Sequence, residues 1–189
     1  MAFWTETGKD PKRNFRFQIQ FTNIGAKDGN PNADTIVWWA KKVTKPNFTI
    51  AEGKHVYLGH TFYYPGKVEW QEISMTLVDP VSPNAVAITN DIVREAGFVI
   101  PGTPATVETM GKQKFNQSIG DIVINQFDSD GNTVEQWTVK HAFLKSVKFS
   151  DLDYENDDLT TIEIGIRYDW AECKTGEDFA SAVTSYKPQ

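Results

Sequence analysis

Residues 133–172 read TVEQWTVKHAFLKSVKFSDLDYENDDLTTIEIGIRYDWAE, and their pattern decides the fold class. Ile162, Ile164, Ile166, Tyr168 and Trp170 stand at every second position, with Thr161, Glu163, Gly165, Arg167 and Asp169 between them. Side chains alternate faces along a strand, so this spacing predicts a strand from Leu159 to Trp170 with one apolar and one polar face. Upstream, Phe143, Val147 and Phe149 among lysines predict a partner strand, and the run SDLDYENDD between the two is dense in turn formers. A lone hairpin is marginal in water, so its apolar face requires a second layer.

The rest of the chain supplies more strands. Phe15, Phe17, Ile19 and Phe21 alternate with Arg16, Gln18, Gln20 and Thr22, which predicts a strand over 14–24. Thr35 to Val43 is β-prone and holds Ile36, Val37, Trp38 and Trp39 in a row, as when both faces are covered. The adjacent tryptophans fit either one core residue and one under a loop, or a subunit contact. Asn47 to Tyr64 carries many aromatics broken by Gly53 and Gly59, and reads as a projecting hairpin that meets something. Pro65 to Asp79 reads as one further strand in which Ile73, Met75 and Leu77 alternate, but Val68 and Trp70 sit on the opposite parity, so a bulge or bend belongs near Gln71. Asp121 to Phe127 and Thr133 to Val139 flank the turn 128–132 as another hairpin.

One helix stands out. Ala85, Ile88, Ile92 and Ala96 fall on one side, Ser82 or Asn84 can cap its start, and Gly97 can end it. The segment 101–120 reads as a long polar connection. The resulting fold class is mainly β with one α-helix: two antiparallel sheets as a sandwich or partly rolled barrel, the helix packed at an edge or end. Residues 1–189 read as a single domain, with 1–13 an N-terminal arm and 171–189 a C-terminal arm. Phe3 and Trp4 on the first arm either tuck onto their own domain or dock on a neighbour. The strands over 15–21 and 162–170 contain no proline and are expected to be free for pairing across subunits.

Composition narrows the function. A chain of 189 residues, 40% hydrophobic and 13% aromatic, is long enough for a sizeable core. A formal charge of −6 and a pI near 5.1 argue against a high-affinity nucleic-acid binder, which needs a basic stripe. No run approaches the roughly 18 apolar residues of a membrane span, and the N-terminus lacks the order of a signal peptide, so the expectation is a product of the cytoplasm. Cys173 is the only cysteine, which excludes an internal disulfide and a thiolate zinc site.

Motifs for chemistry are weak. Asp128-Ser129-Asp130-Gly131-Asn132 opens like a calcium loop, but its glycine comes too early and Val139 stands where the closing glutamate belongs, so a hairpin turn is expected. His55, His60 and His141 lack zinc spacing. Nucleophile elbow, phosphate loop and dinucleotide fingerprint are missing from the sequence. The acidic run Asp151, Asp153, Glu155, Asp157 and Asp158 reads as a solvated loop before it reads as paired catalytic carboxylates. The expectation is no catalytic residue, no cofactor and no metal.

A family resemblance lies in the opening stretch. Trp137, Val139, Lys140, Ala142, Phe143, Leu144, Lys145 and Val147, then Phe149-Ser150-Asp151-Leu152-Asp153-Tyr154, then Ile162, Ile164, Ile166 and Tyr168-Asp169-Trp170 resemble the C-terminal half of the tail tube proteins of contractile-tailed (T4-like) bacteriophages. Weaker similarity reaches the strands at 13–21 and 68–78. The resemblance implies a homo-oligomer of hexameric rings stacked into a tube inside a sheath, starting on a baseplate, located in the virion, with DNA passing through the lumen without specific binding; the acidic balance of the chain adds the expectation of an acidic lumen that repels phosphates. The resemblance also implies that the hairpin, with Phe48, Tyr57, Phe62, Tyr63 and Tyr64, contacts neighbouring subunits; Phe3 and Trp4 are further interface candidates from the residue reading alone. Two other readings remain open: a tube subunit of a type VI secretion or related injection system, and a stand-alone β-sandwich module binding carbohydrate or calcium.

Overall fold

The structure, a computed structural model, describes residues 11–24, 40–82, 84–99, 109–155 and 157–176. In chain order its elements are β1 (Phe17–Phe21), β2 (Ala40–Val43), β3 (Phe48–Tyr57), β4 (His60–Trp70), β5 (Ile73–Val78), α1 (Ala85–Glu95), α2 (Lys112–Ile119), β6 (Ile122–Phe127), β7 (Thr133–Lys140), β8 (Phe143–Phe149), β9 (Thr161–Arg167) and β10 (Trp170–Thr175). They form a first sheet in the order β1-β6-β7-β10, a second in the order β2-β5-β9-β8, and a separate two-stranded hairpin β3-β4. Every pairing is antiparallel, and the sheets do not close into a barrel.

Alternation explains the core. Ile19, Phe21, Ile122, Ile124 and Val139 face inward from the first sheet, and Ile73, Met75, Leu77, Ile162, Ile164 and Ile166 from the second. They join Ala85, Ile92 and Ala96 of α1 and Phe115 and Ile119 of α2 in one buried cluster. α1 starts where expected: the Asn84 carboxamide oxygen accepts the Ala87 N–H at 2.9 Å, and Asp79 accepts the Ala85 N–H at 3.1 Å. Gly97 follows at φ +101, a conformation that favours glycine.

One side of the sandwich is closed by strands that pass from sheet to sheet. β7 runs into β8 through His141 and Ala142, and β9 into β10 through Tyr168 and Asp169. The two crossings lie side by side, for Lys140 pairs with Trp170 and Phe143 with Arg167. Asp169 fixes this corner. Its backbone N–H donates to the Lys140 carbonyl at 3.2 Å, and its carboxylate takes the Lys112 ammonium at 2.5 Å and His141 Nδ1 at 3.1 Å. Those two partners, the lysine first, hold the Asp169 carboxyl below its ordinary range against the opposing effect of burial.

Several expectations need correction. The strand predicted from Leu159 to Trp170 ends at Arg167; Tyr168 stays buried at the crossing, so the alternation continues through the change of sheet and hides it. Residues 171–175, expected in a C-terminal arm, pair with β7 as a strand of the first sheet, which shows no apolar alternation because only Ala171 packs against the core while residues 172–175 are exposed. A second helix, α2, lies within the expected polar connection; only Phe115, Ser118 and Ile119 are buried, too few for a clear helical stripe. β9 is not an edge, having β5 on one side and β8 on the other. Phe15 precedes β1 and is exposed, with the Arg16 guanidinium 5.5 Å from its ring centre. The bend near Gln71 is present: it separates β4, in the hairpin, from β5, in the second sheet. Residues 35–39 lie outside the described residues, and β2 covers only the end of the predicted strand.

Candidate assembly surfaces

The β3-β4 hairpin brings together five of the interface candidates: Phe48, Tyr57, Phe62, Tyr63 and Tyr64. Phe3 and Trp4 lie outside the described residues. Leu58 and Gly59 close the hairpin at φ +47 and +80, the two positive values of a type I′ turn. Every residue of β3, and every residue of β4 except Trp70, is exposed. Among the described residues the hairpin is fastened near its base. Phe48 meets Trp70 edge-on at 5.1 Å between ring centres, and Trp70 meets Tyr168 of the corner at 5.8 Å. The Gln71 N–H donates to the Asn47 carbonyl at 2.9 Å, and the Tyr168 hydroxyl donates to the same oxygen at 3.4 Å. Burial raises the Tyr168 hydroxyl above its ordinary pKa, so it remains a donor at physiological pH.

Among the described residues four strands are sheet margins: β1 and β10 of the first sheet, β2 and β8 of the second. A margin carries backbone groups with no ladder partner on one side, and it is where another chain adds a strand. Away from the core, the first sheet carries two cross-strand rows: Gln18, Asn125, Gln136 and Lys174, then Gln20, Val123, Thr138 and Glu172. Gln136 donates to the Asn125 carboxamide at 2.9 Å within that face. Amides and a hydroxyl dominate, and the single lysine and glutamate cancel. The second sheet turns outward Lys42, Thr76, Glu163 and Lys148 in one row and Ser74, Gly165 and Ser146 in the next. Over Gly165 sits the Glu72 carboxylate, paired with Lys145 at 2.5 Å.

Beside the first sheet, Glu135 binds three partners, two of them from segments distant in sequence and one from its own strand. Lys12 pairs with it, Lys45 reaches it at 2.6 Å, and the Trp137 indole N–H donates to it at 2.6 Å. Lys45 also donates to Gln126 at 2.7 Å. Burial pushes the Glu135 carboxyl up, but these donors outweigh it and hold the group at about 2. Residues this far apart in sequence give no local signal of the contact, and its role is to tie the 12–13 and 44–47 segments to the sheet.

The remaining motifs resolve into loops. The Asp128 carboxylate accepts the N–H groups of Asp130 and Asn132 at 2.9 and 2.8 Å and the Asn132 side chain at 3.0 Å, in a β6-β7 turn where Gly131 takes φ +85. Its own loop therefore occupies it. The Asn132 side chain first, with the backbone donors, holds that carboxyl below its ordinary range. Among the described residues no group of three His, Cys, Asp or Glu side chains is placed to hold a metal ion. His55 and His60 lie on the hairpin and His141 at the corner. The acidic run links β8 to β9, and Leu152, Tyr154 and Leu159 stand exposed among its acids. These three were not foreseen as surface residues of note. An apolar side chain inside a charged loop was the available signal.

Compared with protein-family models and with curated proteins, the sequence matches none. Solved structures do match. A chain from the anti-feeding prophage baseplate, determined with 6-fold symmetry, superposes with a TM-score of 0.61 at 15% identity over 88% of this chain and 97% of that one. A chain from the sheath/tube terminator of the extracellular contractile injection system PVC gives 0.61 at 14% identity, covering 88% and 99%. One from the PVC sheath-tube complex gives 0.58 at 17% identity, covering 90% and 99%. At these identities the common property is the path of the backbone. The chain has the fold of the tube-type proteins of contractile injection systems.

Proposed function

We propose that this protein is a structural, non-enzymatic subunit of the tube of a contractile tail or injection machine, in which six copies close a ring and rings stack inside a sheath from a baseplate. The observation that carries the reading is the near full-length likeness to chains of sheath, tube and baseplate assemblies, one of them 6-fold symmetrised. Two features support it. Among the described residues the first sheet ends in β1 on one side and β10 on the other, so identical copies could meet margin to margin, and a heterologous contact that closes by rotation gives a ring. The exposed hairpin, with Phe48, Tyr57, Phe62, Tyr63 and Tyr64, supplies apolar surface for a neighbour.

In this reading the outward face of the first sheet lines the lumen. That changes the expectation of an acidic lining, because Glu172 and Lys174 cancel and the rest are neutral amides, one hydroxyl and Val123. Such a face offers a passing polymer no net charge to bind. A bacteriophage tail tube passing DNA from the virion is the first form of the proposal. A phage-derived injection machine passing protein is the second, favoured by the likeness to anti-feeding prophage and PVC chains; nucleic-acid content of isolated particles separates the two. Light scattering on the concentrated chain tests the common part. A species of about six times 21.3 kDa, or a polymer of it, is the expected result, and a monomer at every concentration contradicts it.

A further inference from the structure

The two faces of the β3-β4 hairpin differ in chemistry, and the register says how. Cross-strand partners point to the same side. Phe48, Ile50, Glu52, Lys54 and Val56 pair with Trp70, Val68, Pro65, Tyr63 and Thr61, which makes one face. Gly53, His55 and Tyr57 pair with Tyr64, Phe62 and His60 on the other, with Thr49 and Glu69 nearer the base. The register shifts between Ile50 and Glu52, where Gly66 and Lys67 together oppose Ala51. That extra residue moves the even-numbered positions of β4 from the side of Trp70 to the opposite side. Gly66 suits the bulge, since a Cβ there would stand 2.8 Å from the Ala51 carbonyl oxygen.

The apolar character of the hairpin therefore changes sides along its length. Near the base it lies with Phe48, Val68 and Trp70, and Trp70 spends it on Tyr168 of the chain's own corner. Toward the tip it lies with Tyr57, Phe62 and Tyr64, on the side away from that contact, and these three are 62%, 48% and 58% exposed. The tip portion of this face, residues 53–57 and 60–64, carries no carboxylate or ammonium; Glu52 and Lys54 project from the reverse. An aromatic side chain offers ~150–250 Å². With the two imidazoles, half-exposed rings leave roughly 400 Å² for contact, about half of what one partner gives a standard interface. Its occupant must then touch the chain elsewhere as well. A second copy meets that need in the tube reading, where each chain touches its neighbours over more than one surface.

From this we infer that the surface engaging a second copy is the Tyr57–Phe62–Tyr64 face with His55 and His60, and not the Val56–Tyr63 face. The inference rests on the tube reading and refines it. Two double variants of the full chain decide it under conditions where the unsubstituted protein polymerises: Phe62→Ser with Tyr64→Ser, and Val56→Ser with Tyr63→Ser. Polymer recovered by sedimentation is expected to fall at least about tenfold for the first pair and to stay within about twofold for the second. Equal yields, or the reverse order, overturn the inference while leaving the tube reading intact. Failure of the unsubstituted chain to polymerise overturns both. A photo-cross-linking residue placed singly at Phe62 or Tyr63 gives a readout that does not depend on the folding of the double variants. Intermolecular cross-links from position 62 and not 63 support the assignment, and the opposite pattern sinks it.

Discussion

Replacing Glu135 by glutamine tests the electrostatic reasoning quantitatively. The carboxylate is buried and takes bonds from Lys12, Lys45 and Trp137, which together lower its pKa from the ordinary 4.5 to about 2. A shift of that size corresponds at full strength to roughly 3 kcal/mol of folding free energy. The lysine side chains are 51% and 45% exposed, so solvent screening reduces the expected effect to about 2 kcal/mol. The sign follows from proton counting. Between about 2 and 4.5 the unfolded chain binds a proton that the folded chain does not, so this stability is complete above 4.5 and disappears as pH falls toward 2. Urea unfolding followed by tryptophan fluorescence at pH 7 should place the variant about 2 kcal/mol below the unsubstituted protein, near 4–8 °C in Tm for a chain of this length. The difference should shrink steadily below pH 4.5. A difference under about 0.5 kcal/mol at pH 7, or one that persists unchanged at pH 2, refutes the assignment of the pKa to these contacts.

Other expectations follow from packing and backbone geometry. Ile166→Ala empties a 1% exposed position between the two sheets and should cost about 3–4 kcal/mol in urea unfolding, with a markedly smaller loss if the sheets collapse onto the space. Gly120→Ala places a Cβ at φ +71 and 2.2 Å from the Thr22 hydroxyl oxygen, at the end of α2; about 2–3 kcal/mol of destabilisation is expected, measured by the same unfolding assay. Leu58→Asn keeps the hairpin turn but replaces a branched residue at φ +47 with one that tolerates it, so hydrogen exchange at β3 and β4 amides should slow by up to about fivefold.

Legibility tracked how local the signal was. Ile73, Met75 and Leu77 and Ile162, Ile164 and Ile166 declared their strands because each alternates against a buried face, and all six proved core residues. Asn84 marked the start of α1 through a cap that involves only its immediate neighbours. The exposed hairpin was readable as an excess of aromatics among turn residues. By contrast, α2 buries a single apolar turn, and β10 is a polar margin held by backbone pairing, so neither left a periodic trace. The passage from β9 to β10 was masked because Tyr168 is buried at the crossing. Glu135 gained its partners from segments about a hundred residues away, a distance no local pattern spans. For the candidate surface, the aromatic residues were legible, whereas their division into two faces depends on one extra residue at Gly66 and Lys67, and that required the register.

The central claim is that identical copies join along the margins of their first sheets. Cryo-electron microscopy of the concentrated, purified chain measures this directly through the end-on view of whatever forms. The account predicts a hollow ring of six-fold symmetry whose inner wall is the first sheet, carried from copy to copy between β1 and β10. Monomers alone, or a closed particle with those two margins facing solvent, would contradict it.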